Sequence, residues 1–138
     1  MPIMAIDHVG IAVPDLETAI RQYTIAYGMT CTHRERNEEQ GVLEATMAVG
    51  DSGAFVQLLA PTSPGSPVGR FLARHGPGLQ QLAYRVDSID EVSAHLQQQG
   101  MRLVYDAARR GSGGVRLNFV HPATTGGVLV ELVAPARS

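Results

Sequence analysis

The feature that most narrows what this chain can fold into is an internal repeat: AIDHVGIAVPDLETAIRQYTIAYGM near the start returns as LQQLAYRVDSIDEVSAHLQQQGM in the second half. The endings return too, FVQLLAP as VLVELVAP. Val13 and Val86, Leu16 and Ile89, Gly28 and Gly100, and Pro61 and Pro135 keep offsets of 72 to 74 residues. Chance does not hold four separate features at so steady a spacing. With 138 residues there is room for one ordinary domain made of two half-domains, and no room for two independent ones.

Each half reads in one order: a strand, a helix and three further strands. In the first, residues 7–13 are a β-rich run, after which Leu16, Ala19, Ile20, Tyr23 and Tyr27 recur at helical spacing and Gly28 ends the helix. In the second, Ser88 with Glu91 is a capping-box signature, Ile89, Val92 and Leu96 form the buried stripe, and Gly100 stands where a helix stop belongs. Strands are expected at about 30–36, 42–49 and 54–60, then at about 102–105, 115–120 and 127–134, with Gly-rich turns between them. TSPGSPVGRFLARHGPG, near residues 62–77, is read as a linker carrying a short helix opened by Ser66 and Pro67. The expectation is a single α+β domain over 1–138, with one module at 1–61, the linker helix at 62–77 and the second module at 78–138.

Composition removes several classes of function. A formal net charge of -2 with no Lys/Arg run gives no field for a nucleic-acid backbone. No apolar stretch approaches the roughly 20 residues that span a bilayer, and MPIMAIDHVGIAV lacks a basic start and a cleavage site. A cytoplasmic protein is expected, with neither nucleic acid nor membrane as partner. Cys31 is the only cysteine, so any metal must be held by His, carboxylate or amide groups.

Equivalent positions in two copies of a unit can converge on one point when the copies pack about a local two-fold axis. Aligning DHVGIAV with QQLAYRV sets His8 opposite Gln81, and aligning VQLLAP with VELVAP sets Gln57 opposite Glu131. One imidazole, two amides and one carboxylate thus stand as two repeat-related pairs on otherwise apolar strands, a donor set that divalent metals accept with positions left for substrate. Taken one at a time, each has an ordinary explanation: a satisfied structural histidine, or polar groups at strand ends.

At these residues the chain resembles the vicinal-oxygen-chelate (glyoxalase-like) superfamily, whose paired βαβββ modules form a half-open barrel around a divalent metal. Within it, IDHVGIAVPDL, NEEQGVLEATM, VQLLAPTSPGSPVGRFLARHGPG, VYDAARRGSGGVRLNFVHP and GGVLVELV are similar to the methylmalonyl-CoA epimerase family. Position by position, the resemblance implies His8, Gln57 and Glu131 as ligands and Glu44 as a catalytic carboxylate beside the metal. The family's GLHHIA reads Gly78-Leu79-Gln80-Gln81-Leu82-Ala83 here, so the fourth ligand would be the amide of Gln81. A neutral oxygen in place of an imidazole weakens softer metals and favours harder ones. The implied cofactor is a divalent ion, cobalt first, with manganese, zinc and magnesium as alternatives.

The implied reaction interconverts the (2R) and (2S) forms of an acyl-CoA thioester by α-proton abstraction through a metal-stabilised enolate. Glu44 would take the proton; its apolar neighbours Leu43, Ala45 and Met47 permit a carboxyl pKa moved up toward neutral. For the opposite face, Glu131 is the carboxylate the repeat places best, and a water held by the metal competes with it. The Arg109-Arg110-Gly111-Ser112-Gly113-Gly114 stretch is either a basic turn that receives a carboxylate or phosphate of the substrate, with Arg110, Gly111, Ser112 and Gly113 in contact, or a plain hairpin. Other readings stand beside this one: a glyoxalase-type isomerase, a dioxygenase, against which Gln81 counts because a two-His iron site loses a ligand, or a metal-free binding protein of the same fold. Open sheet edges make a homodimer the expected assembly.

Overall fold

Each copy of the repeat is held by one apolar face lying under one helix. A computed structural model describes residues 3–136; residues 1–2 and 137–138, the outer ends of the two expected modules, lie outside the described residues. The order is β1 (Ile3–Ala12), α1 (Leu16–Tyr27), β2 (Thr30–Asn37), β3 (Val42–Ala48), β4 (Phe55–Pro61), α2 (Pro67–His75), β5 (Gly78–Val86), α3 (Ile89–Gln98), β6 (Arg109–Arg110), β7 (Arg116–Val120) and β8 (Val130–Ala134). Apart from α2, this is strand, helix and three strands, twice. Two compact units result: one runs from His8 to Gln80, and the other joins the residues up to Asp7 to those from Gln81 onward, so the division falls inside β1.

In the His8–Gln80 unit the strands lie in the order β2-β3-β4-β1, with β1 parallel to β4 and the other pairs antiparallel. Residues two apart share a sheet face. The register Ala45 to Leu58, Met47 to Val56 and Ile11 to Leu58 therefore gathers one apolar face. Against it pack Leu16 and Ala19 of α1, closing a core with Val13, Ala45, Met47, Leu58 and Ala60. A fully buried side chain such as Leu58 or Met47 contributes about 1.5–3 kcal/mol. α1 starts at Asp15, whose carboxylate accepts from the Thr18 amide at 3.0 Å and from its hydroxyl, and stops at Gly28, where φ is 70°.

On the other face of this sheet a smaller cluster forms from Ala12, Val42 and Leu59 with Val68 of α2, and Phe71 and Leu72 pack onto it. α2 is pinned at its start. Ser66 Oγ accepts from the Gly69 amide at 3.2 Å and donates to the Ser63 carbonyl at 2.9 Å. The backbone comes so close there that a Cβ at Gly69 would sit 2.5 Å from the Ser63 oxygen, and one at Gly41 would sit 2.8 Å from Ser66 Cβ.

The second unit repeats the plan. Its strands run β5-β8-β7-β6, β5 is parallel to β8, and α3 covers a core of Val86, Ile89, Val92, Val120, Leu132 and Ala134. Ser88 caps α3 by accepting from the Glu91 amide at 3.2 Å, and Gly100 follows with φ 86°.

The strand expected at 102–105 is not one continuous strand. Only Leu103 bridges to Val120, and pairing resumes four residues beyond the expected end, at Arg109 opposite Leu117. The buried Asn118 of β7 marks the break: its side-chain amide bonds both the N–H and the carbonyl of Tyr105, at 3.1 and 3.0 Å, standing in for the backbone partners a continued ladder would supply. Two boundaries also differ. β1 begins at Ile3 rather than residue 7, and β8 begins at Val130 rather than 127 because Gly126 and Gly127 turn with positive φ. No helix among the described residues is long and apolar enough to cross a membrane.

The Asp15 cap carries a pH signature. Its side-chain bond to Thr18, and then the bond from the Thr18 backbone, hold its carboxyl below the ordinary value of 3.8. A carboxyl whose folded-state pKa is depressed stabilises the fold above the unfolded value, and that stabilisation is lost as pH falls through the folded value. Thermal melts of Asp15→Ala should show a lower Tm than wild type at neutral pH, with the gap closing as pH is lowered past 3.8. A gap independent of pH would mean that the carboxylate is not the cap.

Candidate active site

The faces turned away from α1 and α3 carry the polar residues. In the His8–Gln80 unit the registers His8 to Phe55, Gly10 to Gln57 and Ala12 to Leu59, with Gln57 to Thr46, Leu59 to Glu44 and Pro61 to Val42, arrange this face in rows. His8 and Phe55 make the first row, and Gly10, Gln57 and Thr46 the second. Ala12, Leu59 and Glu44 make the third; Pro61 and Val42 make the last, near α2. The face thus grades from polar to apolar along the strands, with a carboxylate at the change.

His8, Gln57 and Glu44 are all buried. The His8 ring stacks on Phe55, centroids 4.8 Å apart and planes 19° from parallel, which fixes its orientation. Burying a polar side chain is costly unless it is hydrogen-bonded or serves a function. Three such residues on one face of four strands mark that face as the place to look for chemistry.

In the other unit, Gln81 Nε2 donates to Glu131 Oε1 at 2.7 Å, and Glu131 is buried. Glu131 stands opposite Ala83 in the parallel β5–β8 register, with Gln81 two residues earlier. Gln57 stands opposite Gly10 in the parallel β1–β4 register, with His8 two residues earlier. The pairs aligned by the repeat thus occupy matching places within their own units. The match fails for the carboxylate of β3: where Glu44 faces Leu59, the second copy has Leu117 facing Val133.

Among the described residues, no three of His, Cys, Asp and Glu lie close enough to hold a metal ion by themselves. Half of the expected donor set is amide. Imidazole, amide and carboxylate donors suit a divalent cation, to which an amide offers its carbonyl oxygen; the bond to Glu131 uses the N–H end of Gln81. The residues present fit the group.

The basic glycine-rich stretch is a tight hairpin. Arg109 and Arg110 form β6 and are exposed, Gly111 N–H donates to the Val115 carbonyl at 2.8 Å, and the turn passes through Ser112 and Gly113, whose φ is 68°. The Arg109 guanidinium lies 3.9 Å from the centre of the Tyr105 ring. One neighbour of the site escaped the sequence reading. Glu35 is the cross-strand partner of Glu44, and its Oε1 is 3.0 Å from His33 Nε2. Counting back from the turn between Asn37 and Val42 would have paired Glu35 with Glu44, since a hairpin's register follows from its turn.

Comparison with known proteins follows the same lines. The model of the Glyoxalase/Bleomycin resistance protein/Dioxygenase superfamily matches residues 7–119. The structure is similar to that of methylmalonyl-CoA epimerase from Mycobacterium tuberculosis, with TM-score 0.95 and 50% identity over 98% of this chain and 90% of that one. A variant of the Streptomyces coelicolor methylmalonyl-CoA epimerase, in complex with 2-nitronate-propionyl-CoA, is similar with TM-score 0.94 and 40% identity over 98% of this chain and 99% of that one. The ethylmalonyl-CoA/methylmalonyl-CoA epimerase of Cereibacter sphaeroides is 31% identical over 129 residues, 92% of this chain and 95% of its own.

The bond between Gln81 and Glu131 has a measurable consequence. Gln81→Leu removes a donor from a buried carboxylate and should cost about 1–3 kcal/mol of stability. Urea titration of variant and wild type reads this directly; equal midpoints would show that the bond contributes nothing to the fold.

Proposed function

The chain belongs to the glyoxalase/bleomycin resistance protein/dioxygenase superfamily, and we propose that it is an epimerase interconverting the (2R) and (2S) forms of methylmalonyl-CoA. One observation carries the mechanism: a buried carboxylate, Glu44, shares a sheet face with buried His8 and Gln57 and stands where that face turns from polar to apolar. The α-carbon of the substrate lies between a thioester and a carboxylate. Removing its proton sends charge onto oxygen, so the site must offer a base on one side and support for that charge on another.

Glu44 is the base in this reading. It is held on the central part of β3 by the pairing with β4, which keeps its side chain from swinging out to solvent. In this reading His8, Gln57, Gln81 and Glu131 would hold a divalent metal, cobalt first, with manganese, zinc and magnesium as alternatives. When bound, that ion supplies Lewis-acid stabilisation of the developing negative charge. Phe55 keeps the His8 ring in one orientation, and the Gln81 amide orients the Glu131 carboxylate. Glu131 also returns the proton on the opposite face, with water as its competitor. The repeat offers no second carboxylate matching Glu44, because Leu117 stands there.

Arg110, Gly111, Ser112 and Gly113 receive the anionic part of the CoA ester. Support comes from the exposed guanidinium beside a turn fixed by its own backbone bonds. The proposal extends to a homodimer, for which the support is the eight-residue outer strand β2.

Exchange of the α-proton of methylmalonyl-CoA in heavy water, followed by NMR, tests the reading. Wild type should exchange it, Glu44→Gln should be slower by about 100-fold or more, and chelation should abolish exchange until metal is restored. Wild-type rates in Glu44→Gln would remove Glu44 from the mechanism. Separately, Gln81→His should bind cobalt or zinc more tightly in calorimetric titration, because an imidazole replaces an amide oxygen; unchanged affinity would show that position 81 does not touch the ion.

A further inference from the structure

We infer that the apolar end of the Glu44 face, closed by α2, sets the largest α-substituent the protein accepts, making Leu59, Val68 and Phe71 specificity-determining residues. This rests on the epimerase reading above and names what that site would discriminate.

The inference starts from the rows of the face. If Glu44 takes the α-proton, the α-carbon stands about 3–3.5 Å from its carboxylate. That carbon has three other substituents. Two carry oxygens, and these belong with the polar rows of His8 and Gln57, since an unpaired carbonyl or carboxylate is costly among hydrocarbon. The third is alkyl. It is left for the remaining direction, where Leu59 stands beside Glu44 and Ala12, Val42 and Val68 complete the wall.

That wall is already full. Ala12 is 0% exposed, Leu59 3%, Val42 4% and Val68 4%, and Phe71 and Leu72 pack behind them. It is also stiff. The start of α2 is tied by the two Ser66 bonds, and the close approaches at Gly41 and Gly69 leave the helix no slack toward its support. A methyl group can lie against such a surface, whereas an ethyl group must push it back. Close-packed interiors resist even one extra methylene. One methylene is worth about 10–200-fold in discrimination by an apolar pocket.

The test pair is methylmalonyl-CoA and ethylmalonyl-CoA, both of which the Cereibacter sphaeroides relative is named for. For wild type, Leu59→Val, Val68→Ala, Val68→Leu and Phe71→Leu, kcat/KM is measured on each substrate, alongside a thermal melt of each protein. The ethyl-to-methyl ratio should rise about 10-fold in Leu59→Val and Val68→Ala, rise above wild type in Phe71→Leu, and fall below wild type in Val68→Leu. Phe71 is only half-buried, so Phe71→Leu keeps the test open if the more buried variants do not fold. Ratios within about twofold of wild type in all folded variants would overturn the inference while leaving the epimerase intact. Wild type inactive on both substrates would overturn the epimerase reading, and the inference with it.

Discussion

The structure depends on a division of labour between the two faces of a β-sheet. In each unit one face is apolar and lies under a helix, α1 over Leu58 and Met47 and α3 over Leu132 and Val120. Because side chains alternate strictly along a strand, committing one face to the core frees the other for polar residues without weakening it. Slippage of any strand by one residue would exchange the two sets. The hydrophobic burial that stabilises the fold therefore also fixes where His8, Gln57, Glu44, Gln81 and Glu131 stand.

Those polar faces oppose the stability they sit on. Each buried polar side chain gives up water and must be compensated by a partner, and the partners differ between the units. The Gln81 amide bonds Glu131 directly, whereas His8 is braced by an aromatic ring. Stacking sets the plane of the His8 ring, while the amide bond engages one oxygen of the Glu131 carboxylate. The two copies share a plan but differ in their polar residues, and Leu117 at the place matching Glu44 is the plainest case.

Much of this was legible in the sequence. The steady offset between Val13 and Val86 and between Gly28 and Gly100 points to a repeated unit, and both glycines have the left-handed backbone a helix stop requires. Ser66 and Ser88 cap the helices expected of them. What escaped was register and interruption. Alternation alone says which residues share a face but not which lie opposite, so Glu35 beside Glu44 went unseen. Periodicity also has no way to register one buried asparagine: Asn118 binds the backbone of Tyr105 thirteen residues away in sequence, at the break in a strand that hydropathy alone would continue. Whether four donors meet one ion is a question of convergence, and no local pattern encodes that.

The interrupted strand has a consequence for how copies of this chain behave at high concentration. A continuous 102–110 strand would present a long, straight row of unsatisfied amides and carbonyls, the kind of border that recruits other chains into extended aggregates. Instead the border is two residues long, both of them arginine, and one is folded back onto Tyr105. Charge repulsion and brevity together discourage end-on growth there. A border this short and this charged is the kind that natural sheets use against edge-to-edge pairing.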